Sequence, residues 1–494
     1  MKFCTTRTPK KAAFSPMEVI IKGMAPDGGL FMPESIPVLS QTELNDFIKL
    51  PYPKLAAEIL HKYFDCFSMA ELTADAEAAY GFENFPTVPL DLCVVEPRLF
   101  MLELWHGPTC AFKDMALQMM PRMLSRALSK QRKKRLALVA AATSGDTGKA
   151  AMEGFRDVPG TKIKVYYPHN GVSPIQRLQM ATQAGENVSV SAIRGNFDDA
   201  QSAVKEMFAR KDVQKMLARG NAFLTSANSI NFARLAPQIV YYVYAYVRML
   251  RSHAIKEGET VDVVVPSGNF GNVLSAYFAK RMGVPFGRLI VASNKNRVLA
   301  DFFRTGVYDC NRAFYHTTSP SMDILRSSNL ERLLYLVAGP ERTAGWMKDL
   351  AQTGRFCVSA DVLSRLQAEF CGIWVDEPEV ADTIRRTFHG DRYLIDTHTA
   401  VGVAAFRQYS ERPQASRRIL VASTASPFKF PRDVLTAILG DAPQDDFEAA
   451  QTLAAISGRP IPPALRDLRE RPVRFTNVVD REEMADDLAD FLRD

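Results

Sequence analysis

The chain has 494 residues, 47% of them hydrophobic, which is enough apolar surface for a large core and for more than one domain. Its 61 Lys and Arg against 55 Asp and Glu leave a formal charge of +6, a bias that suits an anionic small molecule as readily as a nucleic acid. The seven cysteines (Cys4, Cys66, Cys93, Cys110, Cys310, Cys357, Cys371) are odd in number and contain no CxxC pair, which argues against a disulfide framework or a zinc site and fits a reducing compartment.

The opening MKFCTTRTPKKAAFSP carries charge but leads into no apolar h-region, so no signal peptide is expected. No apolar run approaches the roughly 20 residues of a membrane span. The expectation is a soluble cytoplasmic protein, bound to neither membrane nor nucleic acid and acting as a monomer or homodimer. Residues 25–37 (APDGGLFMPESIP) are turn-rich, and helical patterns follow at LNDFIKL (44–50) and ELTADAEAAYGF (71–82). Residues 104–114, LWHGPTCAFKD, then place one lysine, Lys113, behind an aromatic residue, a His and a Gly-Pro turn, just as a helical pattern begins. The basic run KQRKKR at 130–135 has no interleaved aromatics and reads as a solvated helix end. From there, short apolar runs alternate with helical patterns. RLALVAAAT (135–143) precedes a helix from about Thr147, and IKVYYP (163–168), NVSVSAI (187–193), VDVVVP (261–266), RLIVASN (288–294) and RRILVAST (417–424) look alike. Near-continuous apolar strands alternating with helices predict a parallel sheet covered on both faces, and so many units predict an α/β protein of two lobes.

Three junctions suit an anion, because unpaired N–H groups at a helix start carry the positive end of the helix dipole. The first, ATSGDTGKA (142–150), leads from a strand into a helix, and Gly145 and Gly148 let the backbone approach a ligand. It is not a Walker A loop: Thr143 stands where the first Gly is required and Ala150 where Ser or Thr would hold magnesium. The second, PSGNFGN (266–272), lacks the spacing of a dinucleotide fingerprint but offers Ser267, two Gly and two Asn as a phosphate cradle. The third, SANSINFAR (226–234), sets Asn228, Ser229, Asn231 and Arg234 before an apolar helix, with Arg as a forked phosphate donor. Each junction also reads as an ordinary capped turn, and Lys113 alone as a surface charge. Together, two anion sites near one candidate reactive lysine point to pyridoxal 5'-phosphate (PLP), which binds through its phosphate and a lysine amine.

These segments resemble threonine synthase, a fold-type-II PLP enzyme, in its bacterial and fungal branch. HGPTCAFKDMALQ (106–118) resembles the family's PLP-lysine motif. ATSGDTG, SANSINFARLAPQIVYY and PSGNFGN resemble its other signatures, in the expected order. APDGGLFMPESIP, VSPIQRLQM (172–180), GNFDDAQ (195–201) and IDTHTAVG (395–402) extend the likeness over nearly the whole chain. The resemblance implies a tryptophan-synthase-β-like architecture: an N-terminal domain (1–92), a large PLP-binding α/β domain (93–118 and 205–494) and a smaller mobile α/β domain (119–204), with the active site between the two parallel-sheet lobes. It implies that Lys113 carries the cofactor and shuttles protons. Ser267, Gly268, Asn269, Phe270, Gly271 and Asn272 would hold the cofactor phosphate, and Thr424 would face the pyridine nitrogen. Ser144, Gly145, Asp146, Thr147 and Gly148 would bind the substrate carboxylate. Asn228, Ser229 and Arg234, with His106 nearby, would bind the substrate phosphate. No metal is implied.

The implied reaction is a carbon–oxygen lyase step, the conversion of O-phospho-L-homoserine and water to L-threonine and phosphate by β,γ-elimination and replacement, which is the last step of threonine biosynthesis. One departure stands out. The family often reads TAHPAKFP where this chain reads TASPFKFP (424–431), so Ser426 replaces a His and Phe428 a small residue, while Thr424 and Lys429 are kept. That difference leaves room for a phospholyase that yields 2-oxobutyrate; a non-catalytic PLP-binding relative is the other alternative. His398, in DTHTAVG, matches the family and equally fits a structural histidine.

Overall fold

The computed structural model describes residues 1–8, 13–143, 145–169, 171–195, 197–416 and 418–493. The strand candidates fold into two sheets. The larger has six strands in the order Phe370–Trp374, Phe286–Ser293, Val261–Pro266, Arg418–Ser423, Leu99–Glu103 and Asp91–Glu96. All its pairings are parallel except the last, which is antiparallel at the edge. The second sheet is wholly parallel, in the order Val478–Val479, Val188–Ile193, Thr161–Pro168, Leu136–Ala142 and Ala222–Thr225.

The inner strands of each sheet are buried on both faces, as the unbroken apolar runs require, while the edge strand Asp91–Glu96 is partly exposed. Successive side chains point to opposite faces of a strand. Val263 and Val265 accordingly join one core while Val264 joins another, and Leu420 and Ala422 separate from Ile419 and Val421 in the same way. In the second sheet, Ala137 and Val139 face the main core, and Leu138 and Ala140 face a smaller one closed by Val213, Leu217, Met484 and Leu488.

Two expected boundaries cut across strand pairing. Residue 92 falls inside the Asp91–Glu96 strand, which belongs to the large sheet. The second sheet is completed by Ala222–Thr225 and Val478–Val479, both outside 119–204. A local reading of runs along the chain could not anticipate these long-range partners.

The N-terminal segment forms the helices Pro16–Lys22, Gln41–Phe47, Tyr52–Tyr63 and Met69–Tyr80. Three start on capping boxes, Ser15–Glu18, Ser40–Glu43 and Ser68–Glu71. The Ser40 box explains why the helix predicted at 44–50 begins and ends earlier. The segment shares the main core: Phe3 meets Phe232 edge-on at 5.1 Å, and Tyr63 lies 6.3 Å from Phe278. The basic run caps the helix Met120–Ser129, where Lys130 pairs with Glu71 at 2.8 Å and Arg135 donates to Ala222 O. Among the described residues, no helix is long and apolar enough to cross a membrane.

The two lobes meet where the helix Asp146–Phe155 packs on the short helix Asp114–Leu117. Gly154 makes that approach possible, since a Cβ there would lie 1.8 Å from Leu117 O. Gly154→Ala is expected to destabilise the protein by about 1–3 kcal/mol or more through overpacking against main chain. Urea unfolding measures this; a midpoint matching wild type would show that the helices can slide apart.

Candidate active site

Lys113 lies at the start of the short helix that follows the Gly-Pro turn. The turn is held by Asp114, whose carboxylate accepts from Thr109 N at 2.8 Å and Thr109 Oγ1 at 2.7 Å. Phe112 N donates to Thr424 O at 2.8 Å, which ties this stretch to the end of the Arg418–Ser423 strand. Lys113 is therefore buried at the carboxyl end of the large sheet, where open α/β sheets bind ligands.

Its amine meets groups from both lobes. Nζ lies 3.5 Å from Asp146 Oδ2, at the head of the helix in the second lobe, and 3.3 Å from Ser321 Oγ. Asp146 is gripped further by Lys429 Nζ at 2.8 Å and by Gln176 Nε2 at 2.9 Å. Burial works against the Asp146 charge, but Lys429 and Lys113 outweigh it and hold the carboxyl well below its ordinary range. For Lys113, burial is the largest influence and lowers its pKa; Lys429 and Arg234 push the same way, and Asp146 only partly opposes them. A lysine so placed is readily deprotonated to a nucleophile.

The three candidate junctions are linked to this amine through Asp146, Ser321 and Asn329. In the first, Gly145 adopts φ +133°, and a side chain there would collide with Gln176. Its N–H and that of Gly148 both donate to Thr143 Oγ1, at 3.0 and 2.8 Å, so these two glycines shape the loop while first-turn N–H groups, at Asp146 and Thr147, face outward from a helix start. The Asp146 side chain is an anion held by Lys429, Lys113 and Gln176, which leaves its main-chain N–H as the group it could offer a substrate carboxylate. Ser144 lies outside the described residues. Lys149 turns to Glu153 at 2.9 Å, away from any phosphate role.

In the second junction, Phe270 takes the left-handed conformation (φ +61°) that starts the helix Gly271–Arg281. Its ring stacks on Phe303 in the core, 5.7 Å between centroids, and so anchors the loop. Ser267 N is taken by Ala292 O. Gly268 packs under the 319–323 loop, where a Cβ would lie 3.1 Å from Ser321 O. Asn272 Oδ1 accepts from Tyr241 at 2.9 Å and from Tyr242, while its buried Nδ2 finds no acceptor among the described residues. Asn329 Nδ2 joins this junction to the third, donating to Asn269 O at 3.1 Å and to Ser229 Oγ at 2.9 Å.

In the third junction, the buried Arg234 makes one hydrogen bond, from Nη1 to Ala227 O at 2.8 Å, and has no carboxylate partner among the described residues. Burial lowers its pKa to about 10. Asn228 N is fixed by Ser226 Oγ at 3.1 Å. The buried Arg332, from the helix Leu330–Thr353, donates to Ser229 O at 3.2 Å, to Ile230 O and to Phe31 O, and so ties this loop to the N-terminal segment. His106 bonds Glu103 at 2.8 Å and stacks on Trp105, and makes no hydrogen bond to Lys113, Asp146 or Arg234. Thr424 is buried, and its hydroxyl has no protein partner among the described residues. Residues that sequence reasoning left out of the site are Ser321, Gln176, Lys429 and Asn329. Ser173 and Gln176 show a capping-box spacing, but nothing in the pattern around Ser321 announces its place.

The chain matches three consecutive family models: "Threonine synthase N terminus" over residues 2–80, "Pyridoxal-phosphate dependent enzyme" over residues 83–425, and "Threonine synthase, C-terminal" over residues 399–488. It is 35% identical over 480 residues to the threonine synthase of Pseudomonas aeruginosa, covering 96% of this chain and 95% of that protein. It is 37% identical over 470 residues to threonine synthase-like 1 of Mus musculus, covering 92% of this chain but only 61% of the length of the mouse protein. Among solved structures, PLP-bound threonine synthase from Brucella melitensis superposes with a TM-score of 0.88 at 34% identity, covering 100% of both chains. Yeast threonine synthase gives 0.88 at 32% identity, over 100% of this chain and 98% of that one.

Proposed function

Because the chain belongs to the threonine synthase family, we propose that it converts O-phospho-L-homoserine and water to L-threonine and phosphate. The fold is that of a fold-type-II PLP enzyme, and PLP is the cofactor. The residues present fit it: a buried lysine amine and, with no protein partner among the described residues, the Asn272 Nδ2 at a helix start and the Thr424 hydroxyl. The cofactor phosphate would lie on the main chain of 268–272, with Asn272 beside it, and Thr424 would face the ring nitrogen. When bound, PLP supplies an electron sink for charge developing on substrate carbons.

The observation that carries the substrate reading is Arg234, a buried guanidinium with no carboxylate partner among the described residues. A charge held this way calls for an anionic ligand. Arg234, Asn228 and Ser229 would grip the substrate phosphate and favour its departure from the γ carbon. The helix start at Asp146 and Thr147 would orient the substrate carboxylate. Lys113, its amine free once substrate is bound, would take the α-proton; a β-proton is lost as well, the γ carbon gains a proton as phosphate departs, water adds its hydroxyl at the β carbon, and a proton returns at the α carbon. The lobes meet through Asp146, so closure would exclude bulk water from the substrate. His106, paired with Glu103 at 2.8 Å, would stand near the substrate phosphate. We place the protein in the cytoplasm, as a monomer or homodimer working on a small molecule.

The departure at 424–431 leaves the cofactor side intact: Ser426 is buried, with its N–H on Cys110 O at 3.0 Å, and Phe428 fills the core beside it. One incubation with PLP and O-phospho-L-homoserine tests the reading, scoring phosphate, threonine and 2-oxobutyrate together. Equal phosphate and threonine are expected; phosphate with 2-oxobutyrate would make the protein a phospholyase and sink the proposal. Arg234→Met should lower kcat/KM about 10–100-fold, since a charged hydrogen bond contributes about 1.5–3 kcal/mol. It should leave stability unchanged or higher, because an unpaired buried charge is removed. Steady-state kinetics beside a urea titration checks both halves.

A further inference from the structure

We propose that Ser321 orients the reacting amine of Lys113, and that the buried Asp396–His398 pair holds Ser321 in place. This rests on the assignment of Lys113 made above. Ser321 Oγ stands between two groups, accepting from Lys113 Nζ at 3.3 Å and donating to Asp146 Oδ2 at 3.3 Å. Its main-chain N–H donates to His398 Nε2 at 3.1 Å. A backbone N–H can only donate, so Nε2 must accept, and a histidine that accepts there is neutral with its proton on Nδ1. That proton has an acceptor in Asp396 Oδ2 at 2.8 Å. Asp396 is itself fixed as the cap of the helix Thr397–Ser410, accepting from His398 N at 2.9 Å and Thr399 N at 3.0 Å. His398 and Asp396 are both buried, so no water competes for these bonds.

The loop that carries Ser321 is tied down on both sides. Asp323 accepts from Asn294 Nδ2 at 2.8 Å, Asn296 Nδ2 at 2.9 Å and Thr317 N at 2.9 Å. His398 pins the stretch between these ties. The main chain of Ser321 also lies against Gly268, where an added Cβ would be 3.1 Å from Ser321 O. One residue thus touches the phosphate cradle, the lysine amine and the aspartate of the second lobe. A lysine amine on a four-carbon stem has many rotamers, and misplacing a reacting group by about 1 Å can lower a rate about a hundredfold. Ser321 narrows those choices, and His398 is a positioning residue acting through it.

The test uses the full chain, with and without PLP. Ser321→Ala should lower kcat about 10–100-fold, with KM for O-phospho-L-homoserine changed less than about threefold. The second-order rate at which the PLP-stripped chain takes up PLP should fall by a similar factor. His398→Met removes the acceptor and should reproduce both losses, while His398→Gln, which returns an acceptor oxygen near the Nε2 position, should recover most of them. Ser321→Ala/His398→Met should be no worse than Ser321→Ala alone. Long-range nitrogen–proton NMR of the stripped chain should show His398 with its proton on Nδ1. Wild-type kcat and uptake in Ser321→Ala would overturn the proposal, as would an Nε2-protonated His398. If His398→Met does not accumulate, Ser321→Ala and the tautomer still decide. Covalent PLP retained by Lys113→Ala would instead overturn the lysine assignment, a separate failure.

Discussion

Lys113→Ala is expected to lower turnover by at least about 10³-fold and to abolish covalent attachment of PLP. The amine has two tasks, holding the cofactor and moving the α-proton. Positioned proton transfer alone contributes about 10²–10⁴, and loss of a nucleophile adds to it. No described neighbour can replace it. Two other buried lysines lie nearby, but Lys429 Nζ is held by Asp146 at 2.8 Å and by Thr109 O at 2.9 Å, and Lys149 Nζ by Glu153 at 2.9 Å. The fold should survive, because Asp146 keeps Lys429 as its partner and Ala fits the small volume of a helix start. Borohydride reduction followed by peptide mass spectrometry reads the attachment, and kcat reads the chemistry. PLP found fixed to Lys429 in the variant, with turnover above about one hundredth of wild type, would show that the pocket has two interchangeable amines.

What the sequence disclosed and what it withheld follow one physical rule. Continuous apolar strands and glycine-bearing junctions are local patterns, so the two-lobed α/β architecture, Lys113 and the three junctions are all legible from short windows. Gly268 is a glycine because another loop crosses it, and Gly154 because a carbonyl does; the residue type shows in the sequence but the crossing partner does not. Asp146 shows the limit best. Its place at a helix start suggests a role in binding an anion, and only the fold brings in Lys429, hundreds of residues away, to make it a counter-ion. Ser321 sits in TTSPSMD, a stretch with no period to read, and owes its position to Asn294, Asn296 and His398 from distant segments. Strand partners at 222–225 and 478–479 were hidden for the same reason.

The Lys429→Met variant should lose about 3–5 kcal/mol of stability at neutral pH, the cost of leaving one member of a buried ion pair uncompensated. Asp146 would keep Lys113 at 3.5 Å and Gln176 at 2.9 Å, too little for a carboxylate removed from water. The pH dependence gives the sign. In the wild type the folded Asp146 pKa lies below its ordinary 3.8. Its contribution is therefore complete above about that pH and drains away as pH falls toward the folded value. Without Lys429, burial meets less opposition and the folded pKa rises. The variant can then protonate Asp146 in acid and escape the unpaired charge. The gap between variant and wild type should narrow as pH is lowered from neutral toward 4, measured by urea unfolding at each pH. Lys429→Met/Asp146→Leu should recover most of the stability, since an apolar pair replaces a broken ion pair, while losing activity because the Asp146 contact to Lys113 is gone. A gap that stays constant with pH, or a double variant no more stable than the single, would mean that Lys429 stabilises the fold through its bond to Thr109 and its packing, and that the two lobes are held together by contacts other than this charge.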